Sequence, residues 1–76
     1  MERTIKCQVI KELMEEISNE AEKNTKKYNK IRLEYPERTR DIEIIRKLTH
    51  LIRINNKLRN AYNYLELKLI KLEEEA

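Results

Sequence analysis

Apolar residues between positions 44 and 72 recur at alternating intervals of four and three residues, with one asparagine in the series. The members are Ile44, Leu48, Leu51, Asn55, Leu58, Tyr62, Leu65, Leu69 and Leu72. A repeat of this kind held over four heptads predicts an α-helix with one face made for a partner helix. The partner has to come from the rest of this chain or from another molecule.

The first half of the chain carries a second series with the same alternation. Its members are Cys7, Ile10, Met14, Ile17, Ala21, Asn24, Tyr28, Ile31 and Tyr35. Thr4 suits the N-cap of this helix, because its hydroxyl can accept a hydrogen bond from an amide of the first turn. Pro36 lacks a backbone donor and disfavours helical geometry at Tyr35. The sequence therefore predicts a first helix at about 4–34.

The phase of the repeat shifts by one residue between the two series, which predicts two helices joined by a turn rather than one continuous helix. The turn is expected at about 35–41 and the second helix at about 41–72. This helix can begin at Pro36 as a first-turn proline, or at Thr39 or Asp41 as the N-cap. The whole chain, 1–76, is interpreted as a single all-α domain.

Two helices of similar length with a short joint are expected to fold back into an antiparallel, coiled-coil-like hairpin. The two series match layer by layer when the numbers of facing residues sum to 79. Ala21 then meets Leu58, and Asn24 meets Asn55. We interpret the asparagine layer as setting the register, because each amide would face hydrocarbon in any other alignment. The alternative is that both amides occupy a wet position in the seam.

The composition excludes several classes of protein. Charged residues make up 41% of the chain and hydrophobic residues 39%, with no glycine, and the helical period of the apolar positions indicates long solvated helices rather than disorder. One cysteine and one histidine allow neither an intramolecular disulfide nor a metal cluster. The longest apolar run is two residues, too short for a membrane span, and the N-terminus lacks the apolar segment of a secretion signal. We expect a cytoplasmic protein that is not an enzyme and has no cofactor and no small-molecule substrate.

Apolar residues beside both series predict self-association. These flanking residues are Leu13, Ile42, Ile45, Ile52, Ile54 and Ala61. An isolated two-helix hairpin is marginal in water, and a second hairpin would cover the flanks in a four-helix bundle. The alternative is that they only widen the interface within one hairpin.

Charge is distributed unevenly along the predicted hairpin. Residues 23–59 hold twelve Lys or Arg and four Asp or Glu, a net charge of +8, whereas residues 1–22 carry −3 and residues 60–76 carry −2. The end of the hairpin near the turn is therefore basic and the open end is acidic. Because head-to-tail packing would set each basic half beside an acidic half, we predict a head-to-tail homodimer.

A line of polar and basic residues lies on the face of the second helix opposite its apolar repeat. It comprises Arg46, His50, Arg53, Lys57, Asn60 and Tyr64, and the first helix adds Lys23, Lys26, Lys27 and Lys30 nearby. Cations interleaved with an amide and a tyrosine suit contacts with phosphates and stacking on bases. A merely solvated helix face has the same appearance. No carboxylate or nucleophile falls at a spacing that would make His50 a catalytic base.

Three functions fit these features. Our prediction is a small interaction or regulatory protein that acts as a homo-oligomer and binds or inhibits another macromolecule. The first alternative is a regulator that binds RNA or DNA through the basic line on the second helix. The second alternative is a structural coiled-coil component of a larger assembly.

Overall fold

The structure, a computed structural model, describes residues 2–35 and 40–75. These residues form two α-helices of 33 residues each, α1 (Glu2–Glu34) and α2 (Ile42–Glu74), which pack against each other. The rod that they form is 54 Å long and 14 Å across. Since a helix of 33 residues is about 50 Å long, both helices run its full length. The all-α hairpin predicted from the sequence is confirmed.

Asp41 caps the start of α2. Its carboxylate Oδ1 accepts a hydrogen bond from the Glu43 backbone amide at 3.0 Å, and its backbone is extended. Of the three candidate starts, Pro36 and Thr39 lie outside the described residues. At the other terminus of the chain, α1 already includes Glu2, so Thr4 lies within its first turn rather than at its N-cap. Helix α2 continues two residues beyond the expected position 72.

Exposure along both helices follows the repeat of four and three. Every member of the series on α2, from Ile44 to Leu72, is half-buried, and so are the members of the series on α1 from Cys7 to Ile31 except Asn24. Asn24 is buried, with 5% of its surface exposed, whereas Tyr35 at the end of the first series is exposed. The two seams therefore pack on each other, and solvent surrounds the other faces.

Residues that the predicted layers pair lie together between the helices. Ala21 and Leu58 line one groove of the rod, and Tyr28 and Leu51 line the next groove toward the turn. Both pairs have residue numbers that sum to 79. These pairs indicate the predicted register, because a shift of one helix by a single residue would turn its seam by about 100° and a shift by a heptad would pair other residues.

A short chain of hydrogen bonds crosses the middle of the seam. The Thr25 hydroxyl donates to the Ala21 carbonyl oxygen at 2.9 Å, and the Asn55 side-chain nitrogen donates to the Thr25 hydroxyl at 3.2 Å. Within the described residues, Asn55 Oδ1 is buried and accepts no hydrogen bond. Asn55 therefore bonds to Thr25, the neighbour of the Asn24 that the predicted layer sets opposite it.

Replacing Thr25 with valine is expected to lower the free energy of unfolding by about 1 kcal/mol, because the isosteric side chain leaves the Asn55 amide without its acceptor. Thr49→Val on α2 is the control, since the structure shows no hydrogen bond from the Thr49 hydroxyl to a described residue; Thr49 is half-buried, whereas Thr25 is exposed. Chemical denaturation followed by circular dichroism measures both variants. Equal stability of the two would contradict a role for this bond.

The hairpin buries none of its described apolar side chains completely. Its large exposed apolar residues are Ile5, Val9, Leu13, Leu33, Tyr35, Ile42, Ile45, Ile52, Tyr64, Leu67 and Ile70. The packing of α1 on α2 therefore covers one stripe on each helix and leaves much apolar surface in contact with water. Within the described residues, neither helix combines the length and hydropathy needed to cross a membrane.

Candidate functional site

Basic side chains of both helices converge beside the seam near the turn. Lys27 and Lys30 of α1 and Lys47 and His50 of α2 line one open cleft of about 420 Å³. Half-buried Ile31 and Leu51 form its apolar floor, and Glu34 also lines it. We call this feature the basic cleft.

Helical spacing and chain reversal together build the basic cleft. Lys27 and Lys30 are three residues apart, as are Lys47 and His50, so each pair projects from one side of its own helix. The antiparallel pairing of α1 with α2 then brings together two groups that are far apart in the sequence. The cleft lies near the turn, where Ile31 and Leu51 of the two seams also line it.

Among the described residues, the lysines of the basic cleft form no ion pair. The ion pair that the described residues form lies outside it, between Lys26 and Glu22, with 3.6 Å between Nζ and Oε1. Glu34 is the one acid among the described lining residues, and it lies beyond ion-pair distance of the lysines. Like charges held this close raise the local positive potential, which attracts anions from solution. The arrangement is suited to binding a polyanion.

The predicted basic line on α2 is exposed along its whole length. All six of its members, Arg46, His50, Arg53, Lys57, Asn60 and Tyr64, are exposed, and so are Lys23, Lys27 and Lys30 of α1. Of the α2 line, His50 reaches the basic cleft, while the others continue along the outer surface. Tyr64 is 59% exposed, and Lys68 Nζ lies 5.0 Å from the centre of its ring. One face of this ring is therefore occupied by a cation–π contact.

Two residues of this surface, Lys47 and Lys68, were not among the predicted binding residues. Lys68 follows Tyr64 by four residues, a spacing that places the two side chains together on a helix and could have revealed the contact. Lys47 lies beside the seam rather than on the outer line. That it shares a cleft with Lys27 becomes visible only when the two helices are aligned.

The predicted oligomer residues fall on two sides of the rod. Ile52 lines a groove with Thr25, and Ile45 lies one heptad earlier on that same side of α2. Ile54 and Ala61 lie on the other side, that of the basic cleft, because they follow Lys47 by one and two heptads. By the same spacing Leu13, two heptads before Lys27, also belongs to the cleft side. Ile54 is half-buried, and the other five predicted residues are exposed.

No arrangement for metal or thiol chemistry is evident in the described part of the chain. It contains no group of three His, Cys, Asp or Glu residues placed to hold a metal ion. Cys7 is a free, half-buried thiol in the seam. His50 is surrounded in its cleft by lysines and one acid, with no nucleophile among the lining residues.

Comparisons with protein-family models, curated proteins and solved structures found no significant match to this chain. Its function is therefore inferred from the charge and geometry of the hairpin.

Proposed function

We propose that this chain is a non-enzymatic interaction module of the cytoplasm, in which two hairpins form a head-to-tail four-helix bundle that binds another macromolecule. The observation that supports self-association is the apolar surface that one hairpin leaves exposed. Two packed helices of 33 residues bury no described apolar side chain completely. A hairpin in this state has little hydrophobic stabilisation, and a second copy would supply the missing half of a core.

The apolar flank formed by Ile42, Ile45 and Ile52 is the surface on which we place the second hairpin. Ile45 and Ile52 are 45% and 46% exposed, and they lie on the side of α2 away from the basic cleft. Packing on the cleft side would instead cover the lysines of the basic cleft. Use of the apolar flank leaves the basic cleft open to a partner.

Charge supports the head-to-tail orientation. The half of the chain next to the turn, residues 23–59, has a net charge of +8, and both remaining segments are acidic. Side-by-side packing in the same sense would bring like charges together at both ends of the bundle, whereas head-to-tail packing brings opposite charges together. Charge complementarity of this kind selects orientation more than it raises affinity.

Mass and orientation can be measured together. Sedimentation equilibrium is expected to give twice the chain mass of 9.3 kDa. For orientation, a spin label is attached to Lys6→Cys in a Cys7→Ser background. Lys6 lies about 18 Å from the middle of α1, so head-to-tail packing separates the two labels by about 36 Å along the rod. Asn19→Cys, near the middle, is the control and gives a short distance in either orientation.

A short label distance at Lys6→Cys would show that both turns lie at the same end and would refute the orientation. A monomer at micromolar concentration would refute self-association. A broad series of larger species would favour the structural coiled-coil alternative over a discrete module.

A further inference from the structure

We propose that the basic cleft binds single-stranded nucleic acid, with the lysines of both helices holding its phosphates. This inference rests on the proposed function, in which a macromolecule occupies the basic side of the rod, and it names the class of that macromolecule.

The first argument is the unpaired charge. Lys27, Lys30 and Lys47 line one cleft from two helices, and in the described residues none of them has an acidic partner within ion-pair distance. Mobile counterions therefore balance these charges in solution. A phosphate backbone replaces such counterions and gains affinity from their release.

The second argument is the extent of the cationic surface. Arg46, Arg53 and Lys57 continue it along the outer face of α2. From Arg46 to Lys57 the surface is about 17 Å long at 1.5 Å per residue. With the three lysines of the cleft, these residues make six cations, so about five phosphate contacts are expected. A polymer of regularly spaced negative charges is the ligand that such a line fits.

The third argument separates nucleic acid from an acidic protein helix. A helix that docks in a groove relies on apolar anchors at intervals of three and four residues, which need apolar surface opposite them. None of the eleven large exposed apolar residues named above lines the basic cleft, and Ile31 and Leu51 on its floor are half-buried. The accessible rim is cationic, so binding there is dominated by charge.

The make-up of the basic cleft favours a single strand over a duplex. Its lysines stand beside the apolar floor of Ile31 and Leu51, and a duplex, whose bases are paired and stacked inside, can present only its phosphates and sugars to that floor. A single strand can instead lie along the cleft, with phosphates on the lysine rim and base faces on the apolar floor or on His50. Proteins that bind single strands combine a positive groove with such ring contacts.

The test is fluorescence anisotropy with a labelled single-stranded RNA of about 20 nucleotides and mixed sequence, its DNA counterpart, and the matching duplex. Five phosphate contacts predict a slope of about −3.5 for log affinity against log salt. Affinity should therefore fall about 100-fold between about 50 and 200 mM salt.

The decisive variant carries Lys30→Glu and Lys47→Glu, one change from each helix. It is expected to bind the single strands at least about tenfold more weakly and to lower the slope to about −2, because two phosphate contacts are lost. The matched control carries Lys6→Glu and Lys71→Glu, which are also exposed, also one from each helix, and lie at the open end. It makes the same change in net charge and should bind as the unaltered protein does. Circular dichroism verifies that both variants keep their helices.

Four results would overturn the inference. The first is that anisotropy does not change at low salt, and the second is that both double variants weaken binding equally. The third is that the duplex binds more tightly than the single strands. The fourth is that polyglutamate displaces the strand as readily as unlabelled oligonucleotide does. Sedimentation of the same samples separates this inference from the proposed function. If the protein is a dimer that does not bind the strands, only the nucleic-acid inference is refuted. If it is a monomer that binds them, only the proposed dimer is refuted.

Discussion

Replacing Ile45 and Ile52 with glutamate is expected to convert the proposed dimer into a monomer and to lower the helix content at micromolar concentration. In the proposed dimer the double change removes four isoleucines and places four carboxylates in the apolar interface. At about 1 kcal/mol or more for each site, the dissociation constant should rise about 1,000-fold. Sedimentation velocity across a dilution series measures the shift, and circular dichroism on the same samples measures the helix.

Leu33→Glu with Leu67→Glu provides the matched control for this experiment. Both leucines are exposed on the outer faces of their helices, away from the seam and the apolar flank. The control introduces the same number of carboxylates and removes the same number of large apolar side chains. Equal dissociation of the two double variants would mean that overall charge, not the apolar flank, governs assembly.

Leu58→Ala is expected to lower the free energy of unfolding by about 2 kcal/mol, near the lower limit for truncation of a core leucine because Leu58 is only half-buried. The change leaves Ala21 facing a second alanine in its layer. Adding Ala21→Leu to this variant should recover most of the loss, since the layer then again contains one large and one small side chain. Ala21→Leu alone should destabilise by about 1 kcal/mol through overpacking.

This set of variants forms a double-mutant cycle whose coupling energy reports the contact between residues 21 and 58. Equilibrium denaturation measures each corner of the cycle. Leu67→Ala, an outward truncation of the same kind, should change stability by less than about 0.5 kcal/mol. Independent, additive effects of the changes at 21 and 58 would contradict the layer pairing and with it the register of the hairpin.

Much of the fold follows from the sequence because helical periodicity is a local property. Leu51 and Tyr28 could be assigned to the seam from spacing alone, since residues three and four apart share a face of any α-helix. The chain reversal was also predictable, because Pro36 and the shifted phase interrupt one repeat before the next begins. The half-buried positions of α1 are all members of its predicted series, and those of α2 are the predicted series with Thr49 and Ile54 in addition.

The polar contact in the middle of the seam could not be predicted in detail. Asn24 and Asn55 occupy equivalent positions in their series, yet Asn55 donates to Thr25 instead. Asn24 and Thr25 are adjacent in sequence but about 100° apart around the helix axis. A modest rotation of one helix against the other decides which of them an amide can reach, and the repeat does not specify that rotation.

The sequence by itself determined the two helices, their seams and the basic character of the turn end, because each depends on residue types at fixed spacings along one helix. The same spacing sets Ile52 and Ile54 on opposite sides of the second seam. Only the tertiary structure decided that Lys27 and Lys30 share a cleft with Lys47 and His50. This relation depends on how the side of one helix is set against the side of the other. That arrangement results from packing across the whole interface, so it becomes defined only when the chain has folded back on itself.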